Sequence, residues 1–421
     1  MGRIVVHQSG PLSGEVAVPG AKNSVLKLMV ASLLAEGEHH LTNVPGISDV
    51  LTMGSLLGSL GVEVGFAEGR HDELVLINSG DIRWSPPPEN VESIRASINV
   101  LGPLIARCRR VRLDMPGGDD FGDRPIDMHI AGLSAMGVRF DADASHIEAV
   151  ADDLHGAEIT LDFPSVGATE NILCAAVHAD GRTVIANAAR EPEVADLCQL
   201  LVEMGARIDG IGSSTLVIEG VAAGSLRPAR HAVVNDRIQA ATYMSAVAMV
   251  GGDVLVRGAR AEHMEMFLRK LIEMGVEVEP EPSGVRIRST RRLRAVDVQT
   301  LPYPGVATDY KPLMVTLLAM ADGIGVMTEN LYPGRFRYVE ELSKLGADIR
   351  TDGHHAIVHG VDKLRGAAVV APDIRAGAAL VVAGLAADGR TTIGGVEHID
   401  RGYDDLVGRL TAIGARIERV D

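Results

Sequence analysis

SLGVEV at 59–64 opens a series that recurs as AMGVRF (135–140), EMGARI (203–208), EMGVEV (273–278), KLGADI (344–349) and AIGARI (412–417). Each copy ends an apolar helical stretch, turns at a glycine and starts an alternating strand. The glycine supplies the left-handed conformation that closes a helix without a Cβ clash. Gly61, Gly137, Gly205, Gly275, Gly346 and Gly414 follow one another at intervals of 76, 68, 70, 71 and 68 residues. A second series interleaves with it: a small-residue helix, an acid–glycine turn and a strand. Examples are ASLLAEGEHHLTNV (31–44), AAVHADGRTVIANA (175–188) and AGLAADGRTTIGGV (383–396). Two helix–turn–strand passes per repeat imply six α/β units. Their length exceeds the roughly 20–50 residues of solenoid repeats, so they are expected as lobes grouped three and three. Two domains with internal pseudo-threefold symmetry follow.

The length of 421 residues also favours two cores over one. The first twenty residues precede the first unit and end in strand-like GEVAVPG (14–20), which can return to the second domain. LRPARHAVVN (226–235) carries proline and two arginines and is the expected crossover. A cleft between two such domains is a usual place for a ligand.

Hydrophobic residues make up 46% of the chain and aromatics only 3%, so the cores are aliphatic. A net charge of −16 argues against nucleic acid or an anionic membrane as partner. No uninterrupted apolar run reaches membrane-spanning length, and residues 1–9 read as a strand rather than a signal peptide. Cys108, Cys174 and Cys198 lack CxxC spacing and are expected as buried, reduced thiols of a cytoplasmic protein. No His/Cys/Asp cluster has metal spacing, so no metal is expected; no cofactor is expected either.

Chemistry is expected where charge sits without a structural need. PGGDDFGDRPIDMH (116–129) combines Gly117 and Gly118 with Asp119, Asp120 and Asp123, then Arg124 and Pro125. It reads as a loop, either a solvated turn or a binding loop. GAKNSVLK (20–27) opens a helix with Lys22 and Asn23. Asn23 can cap that helix, whereas a cation there opposes the macrodipole unless an anion shares the space. SIRASINVLGPLIAR (93–107) reads as a helix with Arg95 near its start. FPSVGATEN (163–171) is a turn whose Ser165 and Val166–Gly167 backbone can donate, without a Walker lysine. Asp309 in TDYKP (308–312) stands at a helix start, where capping is the default reading. DIRAGAALV (373–381) and HIDRGYDDL (398–406) place Arg375 and Arg401 at the front of apolar helices, in equivalent places. Arginine presents a fork suited to carboxylate and phosphate. Lys22, Arg95, Arg124, Arg375 and Arg401 together point to a multiply anionic substrate.

These motifs, in this order and over essentially the whole chain, resemble the enolpyruvyl transferase family. The resemblance implies a two-domain inside-out α/β barrel, each domain of three βαβαββ repeats. It implies a first domain over 22–230, a second over 1–21 with 231–421, and an active site in the cleft between them. Matched by motif, Lys22, Arg95, Arg124, Arg375 and Arg401 resemble the residues that bind phosphoenolpyruvate. Asn23, Arg95, Arg124, Pro125, Ile126, Asp127, Met128, His129, Ser165, Val166, Gly167, Asp309 and Leu331 resemble the uridine-nucleotide site. Asp119, Asp309 and Lys22 resemble the catalytic set, with Asp309 helping to deprotonate the acceptor hydroxyl.

The family usually has cysteine as the acid in PGGC, where this chain has Asp119. Such an aspartate needs a raised pKa to donate a proton, and without a thiolate the protein is expected to resist fosfomycin. Other departures are Val306-Ala307 in place of phenylalanine-proline, Lys311 in place of a neutral polar residue, and the loop NLYPGRF (330–336). The implied reaction is enolpyruvyl transfer from phosphoenolpyruvate to the 3-hydroxyl of UDP-N-acetylglucosamine, in peptidoglycan precursor synthesis. One alternative is a paralogue using another uridine nucleotide such as UMP, in nucleoside-antibiotic biosynthesis. A shikimate 3-phosphate enzyme would leave the PIDMH and SVGAT motifs without a role. A third reading is an inactive nucleotide-sugar-binding module. The partners are then small molecules, with a homo-oligomer left open.

Overall fold

All six repeat glycines adopt positive φ, from 89° at Gly137 to 108° at Gly205, and a strand begins within three residues of each. The computed structural model describes residues 2–117, 125–143 and 145–420. The chain forms two compact units, Gly20–Val234 and Met1–Pro19 with Asn235–Asp421. Each carries three sheets among the described residues.

One topology explains five of the six sheets. In the first unit, strand Glu158–Thr160 leads into helix Val166–Ala176 and then parallel strand Arg182–Ala186. Helix Pro192–Glu203 follows, then the antiparallel pair Arg207–Asp209 and Thr215–Glu219. Thr215–Glu219 lies beside Arg182–Ala186, so the last strand of this repeat occupies an inner position. The sheet Arg110–Asp114, His146–Val150, Arg139–Ala142 shows no lead strand among the described residues. Two leads arrive from distant sequence. Arg230–Ala232 runs parallel to Gly37–Thr42 within the first unit, and Leu12–Ala17 runs parallel to Gly252–Arg257 within the second. Arg3–His7 lies antiparallel between Arg390–Gly394 and Ile417–Val420. The N-terminal strands thus complete two sheets of the second unit.

Helices fill the inside and sheets face out, the inside-out α/β arrangement. Every residue of Lys311–Leu318 is buried, as are all of Ile374–Ala386 except Ala386. A helix apolar all round has to be enclosed. Close approach between inner helices needs glycine at one point: a Cβ on Gly102 would lie 2.1 Å from the Asn171 carbonyl oxygen. The Asn171 side chain fixes the same contact, its Oδ1 accepting the Gly102 N–H at 2.7 Å.

The first unit also contains a buried polar chain. Asp196 accepts from the Ser24 hydroxyl at 2.5 Å and the Val234 N–H at 3.1 Å. It lies 2.9 Å from His231 Nε2, while His231 Nδ1 lies 2.9 Å from Glu203. Burial alone lowers the His231 pKa, but the Asp196 and Glu203 carboxylates overcome it and raise the value above 6.5. Its folded-state pKa therefore exceeds the unfolded one, so its stabilisation is complete below the unfolded value and lost as pH rises through the folded one. His231→Gln is expected to cost about 1–3 kcal/mol at about pH 6 and clearly less at about pH 9, by urea unfolding.

Cys174 and Cys198 are buried free thiols, while Cys108 is only half-buried, at the end of helix Leu101–Cys108. Among the described residues no helix is long and apolar enough to cross a membrane, and no His/Cys/Asp/Glu group could hold a metal ion.

Candidate active site

In the first unit, helix Lys22–Ala31 starts after Ala21 without a side-chain cap, so Asn23 lies inside the first turn and does not cap it. Lys22 Nζ lies 3.1 Å from Asp49 Oδ2, and Asp49 is buried in the first turn of helix Ser48–Leu60. A carboxylate of this chain thus supplies part of the negative charge that a helix-start lysine calls for. The 93–107 stretch is not one helix. Arg95 begins the 3₁₀ segment Arg95–Val100, which continues as Leu101–Cys108. Arg95 Nη1 donates to the Pro116 carbonyl at 3.4 Å, which sets it beside the start of the 116–129 stretch. Asp119 and Arg124 lie outside the described residues.

At the end of that stretch, which was expected as a loop but enters a helix at Asp127, Pro125 and Asp127 are exposed, Ile126 and Met128 half-buried, and His129 buried. Helix Asp127–Ala135 carries Asp127, Met128 and His129. Ser165 caps helix Val166–Ala176, its hydroxyl accepting the Ala168 N–H at 3.3 Å. The first helical bond runs from Thr169 N–H to Ser165 O, so the Val166 and Gly167 amides precede the ladder and point out of the helix end. Gly167 lets the two motifs approach: a Cβ there would lie 3.0 Å from the His129 ring, a tight contact that would push the ring back. His129 Nδ1 sits 3.0 Å from Asn171 Nδ2. Burial and the Arg95 charge bring His129 down to about 4, against the pull of Asp127, so it is a neutral ring at physiological pH. Two motifs 40 residues apart therefore form one surface, polar amides beside a neutral imidazole. Behind it, Lys27 Nζ lies 3.2 Å from the buried Glu170 carboxylate, which burial raises to about 7 despite the lysine.

The second unit gathers cations around Asp309. Asp309 lies in the 3₁₀ turn Thr308–Tyr310, with Ala307 as N-cap, so it does not cap the helix Lys311–Leu318. Its Oδ1 accepts from Arg375 Nε at 3.0 Å and lies 3.6 Å from Arg335 Nη2. Burial works to raise its pKa, yet Arg375, Arg335 and Arg237 hold it well below the usual carboxylate range. Arg375 is buried in the first turn of Ile374–Ala386, whose Asp373 cap accepts the Arg375 and Ala376 amides at 2.8 and 2.9 Å. Asp236 repeats the device, accepting the Ile238 and Gln239 amides, and Arg237 Nη1 reaches Tyr310 Oη at 3.3 Å. Two helix N-termini and three guanidinium groups thus converge on one carboxylate. Such a field suits phosphate and carboxylate groups.

Arg401 departs from the expected placement. It follows helix Val396–Asp400 as its C-cap, and the next helix, Leu406–Ala412, starts after Asp405. It therefore belongs to a turn and is not equivalent to Arg375. The two loops of altered sequence meet at a buried pair. Lys311 Nζ lies 3.1 Å from Glu329 Oε2, both fully buried. Glu329 also accepts from Thr300 at 2.6 Å, Thr308 at 2.7 Å, Leu331 N–H at 2.8 Å and Tyr332 N–H at 3.1 Å. Lys311 donates to the Arg335 carbonyl and lies 4.0 Å from the Phe336 ring. Val306–Lys311 and Asn330–Phe336 are one structural element, with Leu331 held by its backbone.

Sequence reasoning missed Arg237, Arg335 and Asp49. Arg237 carries the same signal that singled out Arg375, an aspartate cap followed by arginine in the first turn of an apolar helix.

The chain matches the family model described as EPSP synthase (3-phosphoshikimate 1-carboxyvinyltransferase) over residues 6–410. The UDP-N-acetylglucosamine 1-carboxyvinyltransferase of Nocardia farcinica is 50% identical over 421 residues, covering 99% of this chain and 98% of its own. That of Mycobacterium tuberculosis is 50% identical over 418 residues, covering 99% of each. Among solved structures, the enolpyruvyl transferase NikO from Streptomyces tendae is 26% identical with a TM-score of 0.89, covering 100% of this chain and 99% of that one. EPSP synthase from Acinetobacter baumannii shares the fold, at 18% identity and a TM-score of 0.75 over 100% of both chains.

Proposed function

The chain belongs to the EPSP synthase family of 1-carboxyvinyltransferases, and we propose that it transfers the enolpyruvyl group of phosphoenolpyruvate to the 3-hydroxyl of UDP-N-acetylglucosamine. The observation that carries the acceptor is 50% identity, over nearly the whole of both chains, to UDP-N-acetylglucosamine 1-carboxyvinyltransferases. A product of this kind serves peptidoglycan precursor synthesis.

The acceptor hydroxyl attacks C2 of phosphoenolpyruvate, its proton passing to Asp309, while Asp119 protonates C3. The resulting tetrahedral ketal then loses a C3 proton and expels phosphate, leaving the enol ether. Lys22, Arg95, Arg124, Arg375 and Arg401 hold the phosphate and carboxylate, whose charges change little, so they serve orientation as well as electrostatics. Arg237 and Arg335 join them, on the strength of their field at Asp309. The 125–129 and 165–167 surface takes the uridine, with Asn23 and Leu331 on the nucleotide sugar. Mass spectrometry of the product tests the acceptor: the reading requires UDP-N-acetylglucosamine to gain one enolpyruvyl group, and fails if only UMP gains it.

Asp119 in the position of the usual cysteine leads to a separate prediction. Fosfomycin leaves the wild-type rate unchanged, whereas Asp119→Cys becomes inactivated with time and carries a covalent adduct. An adduct on residues 116–129 of the wild type would contradict the role given to Asp119.

A further inference from the structure

A concavity of about 340 Å³ opens on the first unit, away from the residues assigned to the reaction, lined by Gly80, Ile82, Trp84, Arg107, Cys108 and Arg110. Arg107, Arg109, Arg110 and Arg112 fall within six residues of a chain whose net charge is −16. Ordinary structural roles account for three of the four singly. Arg107 closes the last turn of helix Leu101–Cys108 and pairs with Glu36. Arg109, at φ 58°, turns inward and donates to the His178 carbonyl at 3.2 Å. The Arg110 guanidinium lies 4.3 Å from the centre of the Trp84 ring. Those roles do not explain why two guanidinium groups line one concavity that has no carboxylate among its described lining residues. Cys108 brings no negative charge, because burial pushes its thiol pKa up. Glu36 is exposed on the rim whereas Arg107 is mostly covered, so a phosphoryl group, with its higher charge, competes with that carboxylate for the Arg107 fork.

We propose that this concavity binds an organic phosphate, its phosphoryl group taken by the forks of Arg107 and Arg110 and its planar portion covering Ile82 and Trp84. Arginine on both sides suits a dianion, and in a mostly polar lining Ile82 and Trp84 offer a flat ring a small apolar contact. The concavity lies at the C-terminal end of the helical segment that begins at Arg95, so its ligand does not displace substrates held near Arg95.

Trp84 is the only tryptophan of the chain, so its fluorescence reports this place alone. The full-length protein is titrated with AMP, ribose 5-phosphate and inorganic phosphate at constant ionic strength. The expected result is a saturable change with AMP, weaker binding of ribose 5-phosphate and weaker still of phosphate. Arg110→Ala and Arg107→Ala each weaken AMP binding about tenfold or more, with unfolding curves unchanged. The AMP signal persists when phosphoenolpyruvate and UDP-N-acetylglucosamine are saturating. A response no different from added sodium chloride overturns the proposal. So does AMP binding that both variants retain, or that the two substrates abolish. Equal affinity for AMP and inorganic phosphate overturns the part given to Trp84.

Discussion

Asp309→Asn is expected to lower kcat by about two to four orders of magnitude, the usual contribution of a positioned general base. KM for phosphoenolpyruvate should change far less, because the surrounding cations remain. The carboxylate is ionised throughout the physiological range, since Arg375, Arg335 and Arg237 outweigh the burial that would protonate it. A strongly ionised carboxylate is a weak base. An anionic substrate at those guanidinium groups offsets their charge and raises the Asp309 pKa toward the ordinary carboxylate value. The acid limb of kcat should therefore lie at higher pH than that of any step in the free enzyme governed by Asp309. In the folded, ligand-free protein the lowered pKa means that the stabilisation from Asp309 is present above the unfolded carboxylate value and lost only in strong acid. A rate within tenfold of wild type for Asp309→Asn would remove Asp309 from the chemistry.

Glu329→Ala is the substitution with the largest expected cost in stability, about 3–5 kcal/mol, because it leaves the fully buried Lys311 without its counter-ion. Burial already brings Lys311 down to about 8 with Glu329 in place. Without Glu329 it falls further, and part of the cost appears as proton release on folding near neutral pH. The same change frees Thr300, Thr308 and the Leu331 and Tyr332 amides from one acceptor, so the 330–336 loop loses its anchor. KM for the nucleotide sugar should rise more than KM for phosphoenolpyruvate. Lys311→Met costs less, because the Glu329 carboxylate keeps four other donors. Denaturant unfolding of the two single variants and the double variant gives the coupling directly. Equal costs for the two single variants would contradict this account of the pair.

The fold was legible because its signal is periodic: six glycines in near-equal spacing mark six helix ends, and each adopts the positive φ that only glycine takes cheaply. The site was legible only in part, and the physical reason differs by residue. Arg375 announces itself, since a cation in the first turn of an apolar helix opposes the dipole. Arg237 has the same pattern and was equally readable. Arg401 was misplaced because arginine before an apolar helix reads alike whether the intervening residues are a first turn or a four-residue turn beginning Gly402-Tyr403. Lys311 and Glu329 could not be paired from sequence. Lysine and glutamate are normally surface residues, and nothing local marks two of them, 18 positions apart, as each other's buried counter-charge. Asp49 shows the same limit: it opens a separate helix, and only the fold brings it to Lys22.

The most direct test of enolpyruvyl transfer is phosphate release from phosphoenolpyruvate, measured with UDP-N-acetylglucosamine, UMP and shikimate 3-phosphate offered one at a time. Steady release is expected with UDP-N-acetylglucosamine and none above background with the other two. Release with UMP alone would make Val306–Lys311 and Asn330–Phe336 the determinants of a different acceptor. Binding of UDP-N-acetylglucosamine without any release would contradict the enzyme reading itself.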